Sequence, residues 1–412
     1  MRRLHPLTTI ARDAGRISLA GIVAGCIALL SVATTEAAAD ARIIRTSVES
    51  RFPESAIVRV EAAVTRPIAR AYFQYRILGR RAITQSQVRV TGAPGAMAGS
   101  HVFDFSKNYL PPGTDIEYRW QLFDDRGQEF VSPFYAARID DERITWRTQT
   151  VRGIDVRWSR GDEVFGRALL NVVDRAIVAA AAEVGATPPR GLRVTLYGDL
   201  EEFRSALFKG SFEWVGGTFY PEERVIIAYA PPTAQGLDIA RRALAHELAH
   251  AAVHQVTDNP FGEVPSWLNE GLASRAQGTV DTANTDALIE AVASNRLLSL
   301  RALGGSFPSD ADEARLAYAQ SASAVSYLVE RRGRGSTYAL LREYANGVTF
   351  DEGAIAALGS DIDALDIEWR SWLAPWAMMK APPFDDAPEP VGHTASSPLD
   401  AIRDLMAGLL GR

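Results

Sequence analysis

The chain of 412 residues has one cysteine, Cys26, only six histidines, and no run of basic residues. A single thiol excludes an internal disulfide, a thiol–disulfide redox pair and a thiolate-rich zinc cluster. A net charge of −6 with no basic stripe argues against a nucleic-acid partner. Internal repeats and low-complexity runs are also missing, which sets aside solenoids and arrays. What remains is an ordinary globular balance, 47% hydrophobic and 23% charged, in a chain long enough for two domains.

The first 39 residues do not read as fold. Arg2, Arg3, Arg12 and Arg16 precede an apolar stretch from Ile17 to Ala33, and Ala37-Ala38-Ala39 stands before Asp40. This is the pattern of a secretory signal cleaved near Ala39, and it predicts an exported protein, secreted or held in the cell envelope. Two other readings stay open. The apolar stretch is retained as a single anchor, or Val23-Ala24-Gly25-Cys26 is a lipoprotein box with Cys26 acylated. Membrane contact is expected only through this segment, if it is uncleaved or lipidated.

Residues 40–150 predict an all-β domain. Val58, Val60, Ala62 and Val64 alternate with more polar neighbours, as do Ile116, Tyr118, Trp120 and Leu122. A period of two is that of half-buried strands, and about seven short ones suggest an immunoglobulin- or fibronectin-like sandwich. His101 is the lone histidine here and reads as structural or solvated. Residues 151–375 predict an α+β domain: a helix over 163–184, strands over 192–197 and 225–230, and a mostly helical part over 283–373. The Pro-, Ala-, Ser- and Asp-rich stretch after 375 reads as a disordered linker with a short helix over 399–410.

The chemistry is concentrated in two short segments, His246-Glu247-Leu248-Ala249-His250 and Trp267-Leu268-Asn269-Glu270-Gly271-Leu272-Ala273. On a helix, residues four apart share a face, so His246 and His250 aim at one point. Glu247 lies about 100° round from His246, beside that point and free to take a proton from a metal-bound water. Glu270 on a second helix supplies a third ligand, and the fourth position of a Zn2+ site stays open. Ala243, Leu244, Ala245, Leu248, Ala249, Ala251, Ala252 and Val253 make the first helix apolar nearly all round, hence buried, and buried histidines need partners. His254, one turn beyond His250, lines the cleft or faces solvent. Ser274, one turn beyond Glu270, is a weak candidate for orienting a ligand.

Together the two segments resemble those of the gluzincin metallopeptidases, the thermolysin-like group that includes zinc aminopeptidases. The wider pattern resembles the bacterial, exported peptidase MA-like proteins over roughly residues 41–375. It is carried by Tyr109-Leu110-Pro111-Pro112-Gly113-Thr114, Trp214-Val215-Gly216-Gly217, His246 to Gln255, Asn259-Pro260-Phe261-Gly262 and Ala317-Tyr318-Ala319-Gln320-Ser321. The resemblance implies a sandwich followed by a thermolysin-like α+β domain with helices at its C-terminal side. It implies zinc held by His246, His250 and Glu270, Glu247 as the base, and Tyr318 as donor to the oxyanion, with Gln320 a lesser candidate near the cleft. It also implies that 215–227 includes an edge strand that pairs with the substrate backbone. Metzincins are set aside, because Val256 stands where their third histidine would be. The exopeptidase motif of the aminopeptidases is not visible. The expected activity is hydrolysis of a peptide or protein substrate. The competing reading is an envelope binding or scaffold protein whose zinc site is vestigial or structural.

Overall fold

The computed structural model describes residues 41–208, 216–259, 262–278 and 282–380. The signal segment, Trp214-Val215, Pro260-Phe261 and the stretch expected to hold the short C-terminal helix lie outside the described residues. No helix among the described residues is long and apolar enough to cross a membrane.

Nine strands make the first layer pair: β1 (Ala41–Arg51), β2 (Ser55–Val64), β3 (Ile68–Ile77), β4 (Thr84–Val88), β5 (Val90–Ala93), β6 (Ala96–Asp104), β7 (Thr114–Asp124), β8 (Glu129–Val131) and β9 (Tyr135–Ile139). One sheet runs β1-β2-β6-β5; the other runs β4-β3-β7-β8, with β9 also on β7. The alternation seen in the sequence is realised on β7, where Ile116, Tyr118, Trp120 and Leu122 are buried and their neighbours half-buried. These side chains meet Val58 and Val60 of the opposite sheet in a common core. His101 stacks on Phe73 with 4.4 Å between ring centres, and burial lowers its pKa, so its role is packing.

A second sheet follows, built from β10 (Arg147–Val151), β11 (Ile154–Trp158), β12 (Arg193–Tyr197), β13 (Gly217–Tyr220) and β14 (Val225–Tyr229). Its order is β10-β11-β12-β14-β13. β11, β12 and β14 are parallel, whereas β13 runs antiparallel along the edge. Every residue of β12 and β14 is buried, as strands covered on both faces require. On one face Val194, Leu196, Ile226 and Ala228 pack under α1 (Glu163–Val184) and α3 (Ala234–Thr257). On the other, Tyr197, Val225, Ile227 and Tyr229 share a core with the sandwich and with α2 (Leu200–Ser205). The two halves are therefore welded through apolar side chains.

Charged groups rim that joint. Arg157, 2% exposed, reaches both Asp140 oxygens at 2.7 Å and Thr195 Oγ1 at 2.8 Å, with its guanidinium over the Trp146 ring. Arg193 reaches Asp115 Oδ2 at 3.0 Å and donates to the Gly113 carbonyl. The helical part then follows: α4 (Ser266–Ala276), α5 (Thr282–Ala293), α6 (Ala311–Arg332), α7 (Gly335–Tyr344), α8 (Phe350–Leu358) and α9 (Ile362–Lys380). α9 runs past residue 375, so the stretch expected to be linker begins as helix.

Candidate active site

α3 begins at Thr233, whose hydroxyl accepts from the Gly236 N–H and so caps the helix. Leu244, Leu248, Ala249 and Ala252 bury its remaining faces in the core, which fixes its rotation. That rotation leaves His246 and His250 on the side facing α4, each with 14% of its side chain exposed. Their rings lie 4.7 Å apart at 81° to one another. Glu270 of α4 meets them: its Oε2 is 3.2 Å from His246 Nε2 and 3.4 Å from His250 Nε2. The three candidate ligand atoms lie within 4.8 Å of one another.

This donor set fits Zn2+. Glu270 Oε2 is buried and is in hydrogen-bond geometry with no group. His250 Nδ1 lies 2.9 Å from Asn269 Oδ1, which can only accept, so Nδ1 carries the proton and Nε2 turns a lone pair toward Glu270. A carboxylate facing an imidazole lone pair, as Glu270 faces that of His250, is repulsive unless a proton or a cation sits between them. The electrostatics reflect that demand. Burial alone would raise the Glu270 carboxyl, but the two imidazoles outweigh it and hold it well below the usual range. Burial alone would lower His250, but the carboxylate outweighs it and raises the imidazole to about 9.

Glu247 is 7% exposed and stands beside the cluster. Burial pushes its pKa up, the two imidazoles oppose that, and the Phe219 backbone N–H donates to it. The edge strand β13 thus passes directly over Glu247. The approach is close: a Cβ on Gly217 would stand 3.0 Å from Glu247 Cγ, tighter than an ordinary contact, so a larger residue would push on the base. Tyr318 of α6 closes another side, half-buried, its ring 6.3 Å from that of His246 and 5.1 Å from that of Phe307. Burial raises its hydroxyl, and Glu270 and Glu247 raise it further, so it stays a donor.

Other sequence candidates are placed differently. Gln320 is fully buried and brackets the Leu298 backbone, accepting from its N–H at 3.1 Å and donating to its carbonyl at 2.9 Å. It serves that loop rather than the cleft. His254 packs on Phe219, and its Nε2 lies 3.0 Å from Arg80 Nη2. Arg80 also holds Asp258 at 2.7 Å, Glu222 at 3.2 Å and the Pro221 carbonyl at 3.3 Å. A sandwich residue thereby ties the end of α3 to the turn after β13. The groups that orient the histidines are Asn269 and Gln277, the latter with Nε2 3.1 Å from His246 Nδ1, where Ser274 was the expected residue. Asn269 has no role in the sequence reading, and its place beside Glu270 is the signal that could have found it; Arg80 and Gln277 carried no local signal.

Residues 172–375 match the Peptidase MA superfamily. No curated protein matches the chain. Among solved structures, it is similar to an M1 zinc metallopeptidase from Deinococcus radiodurans, at 12% identity and a TM-score of 0.36, covering 77% of this chain and 89% of that one. It is also similar to an aminopeptidase N family protein from Idiomarina loihiensis, at 8% identity and a TM-score of 0.31, covering 77% and 68%. A cycloalternan-degrading enzyme from Trueperella pyogenes shares 12% identity at a TM-score of 0.18, over 26% of this chain and 16% of that one. The family match covers all of the residues that converge on Glu270, and by it residues 172–375 belong to the peptidase MA superfamily.

Proposed function

We propose that the protein is an exported hydrolase that cleaves peptide bonds, with His246, His250 and Glu270 holding Zn2+ and Glu247 moving the proton. The observation that carries this is the buried Glu270 Oε2, which faces two imidazole nitrogens with no hydrogen-bond partner of its own. Zinc bound there supplies Lewis acidity toward a carbonyl oxygen and makes water acidic enough to attack near neutral pH.

The chain's own residues do the rest. Glu247 takes a proton from the attacking water and returns it to the amide nitrogen as the C–N bond breaks, and its raised pKa suits both transfers. The Phe219 N–H holds that carboxylate in place, so Gly217 and Phe219 set the distance between the edge strand and the base. The Tyr318 hydroxyl, kept protonated, donates to the oxyanion of the tetrahedral intermediate. The remaining edge of β13 offers backbone groups to an extended substrate. A structural zinc site closes its fourth position and has no use for a buried carboxylate beside it, which weighs against the scaffold reading. Export rests on the arginines and apolar stretch of residues 1–39.

The test is a cleavage profile. Zinc-loaded protein is incubated with a complex peptide library, products are read by mass spectrometry, and Glu247→Gln runs in parallel. Cuts made by wild type should fall by several orders of magnitude in the variant while zinc content stays equal. Near-wild-type turnover by Glu247→Gln would overturn the mechanism.

A further inference from the structure

The two histidines are backed by the same helix that supplies the carboxylate. Asn269 precedes Glu270 on α4, and Gln277 follows it two turns later at the helix end. His250 Nδ1 lies 2.9 Å from Asn269 Oδ1, and His246 Nδ1 lies 3.1 Å from the Gln277 amide nitrogen. The second contact is chemically informative. A neutral imidazole carries one N–H, and a nitrogen that binds a metal carries none. His246 Nε2 faces Glu270 and His250, so its proton belongs on Nδ1 and needs an acceptor. A half-turn of the Gln277 amide exchanges Oε1 for Nε2 at the same place, and the contact becomes Nδ1–H donating to Oε1. The Gln277 end of α4 is itself anchored, since Arg275 binds Glu183 at 2.7 Å and Ser326 at 2.7 Å.

We propose that Gln277 is a positioning residue for the metal centre: its amide oxygen fixes the proton of His246 on Nδ1 and turns Nε2 toward the ion. With Asn269 in the same role for His250, both orienting groups are neutral amides, and Glu270 is the sole anionic ligand. A carboxylate behind an imidazole makes that ligand more basic and tightens metal binding; an amide orients without adding charge. This chain therefore holds zinc less tightly than a carboxylate at position 277 would allow, and leaves more positive charge on the ion. The inference rests on the zinc site proposed above.

The test is zinc affinity, measured by chelator competition on the full chain, for wild type, Gln277→Met, Gln277→Glu and His246→Ala. Gln277→Met keeps the length and removes the acceptor; it should weaken zinc 10- to 100-fold and change the visible spectrum of the cobalt-substituted protein. Gln277→Glu restores an acceptor and should bind zinc at least as tightly as wild type. Melting of the zinc-free proteins should be alike, which separates positioning from folding. Gln277→Met within twofold of wild type, or Gln277→Glu as weak as Gln277→Met, would overturn the inference. If His246→Ala also keeps zinc, the three-ligand reading itself fails; if it loses zinc while Gln277→Met does not, only the role of Gln277 fails.

Discussion

Gly271 sits next to the ligand Glu270, where α4 crosses α6. A Cβ at this position would lie 2.4 Å from the Ser321 carbonyl oxygen and 2.5 Å from Val325 Cγ2. An ordinary carbon–oxygen contact is about 3.3 Å, so Gly271→Ala demands a separation of about 1 Å. The oxygen belongs to the backbone of a buried helix and cannot swing aside. Overpacking of this kind costs about 1–3 kcal/mol. The displacement is also carried to Glu270, whose Oε2 stands only 3.2 and 3.4 Å from the two histidines. Ligand distances at a metal tolerate about 0.2 Å, so zinc affinity should fall at least tenfold. A misplacement of this size should lower turnover about a hundredfold. Urea unfolding of the zinc-free protein reads the first effect, and chelator competition reads the second. Gly335→Ala is the control, because nothing lies within 4 Å of a Cβ there. It should change stability by less than about 0.5 kcal/mol. Gly271→Ala with stability and zinc affinity both within error of wild type would refute the coupling of helix spacing to the metal ligand.

Three further outcomes are expected. Tyr318→Phe should lower kcat by about 100-fold with zinc retained and KM little changed, because the lost donor acts in the transition state; steady-state kinetics within twofold of wild type would remove Tyr318 from the mechanism. Arg80→Ala, which cuts the ties to Asp258, Glu222 and Pro221, should raise KM for long peptides severalfold and speed proteolytic cutting near residues 216–224, with zinc content unchanged; equal KM and equal proteolysis would count against it. Burial alone would raise the Asp115 carboxyl, but Arg138 and Arg193 outweigh it and leave it lowered. A carboxyl with a depressed folded pKa contributes stability above its unfolded value, about pH 3.9, and loses it as pH falls through the folded value. The gap in urea midpoint between wild type and Asp115→Asn should therefore be full at pH 7 and shrink at pH 3; a gap that does not depend on pH would refute the charge assignment.

The parts of the site legible in the sequence are those whose geometry is local. Helical period alone brings His246 and His250 together, and a buried helix with two histidines implies a partner. Glu270 is a short step further, since one motif carries it. Gln277, Arg80 and the Phe219 N–H reach the site across tertiary contacts, and nothing in their own neighbourhoods marks them. Tyr318 was located through the resemblance of its surroundings rather than by periodicity. In the fold, the regular strands β2 and β7 announce themselves by alternation. β5 and β8, with 4 and 3 residues, are too short for a period to register, which is why about seven strands were expected where nine occur. β10 falls largely within the stretch read as the sandwich, yet it pairs with β11 of the second sheet. A period of two says that a strand is half-buried and not which sheet it joins.

The shared core beneath β12 and β14 bears on how this protein can be made and matured. Val225, Ile227 and Tyr229 lie under the sandwich, and Tyr109 of the sandwich donates to the Ala206 carbonyl beyond α2. Cutting the chain near residue 150 and shedding the first half would leave a broad greasy wall open to water, a surface that invites aggregation. The β-half is thus a permanent floor for the hydrolytic half, unlike a detachable propeptide, and any control over the enzyme has to act with both halves in place.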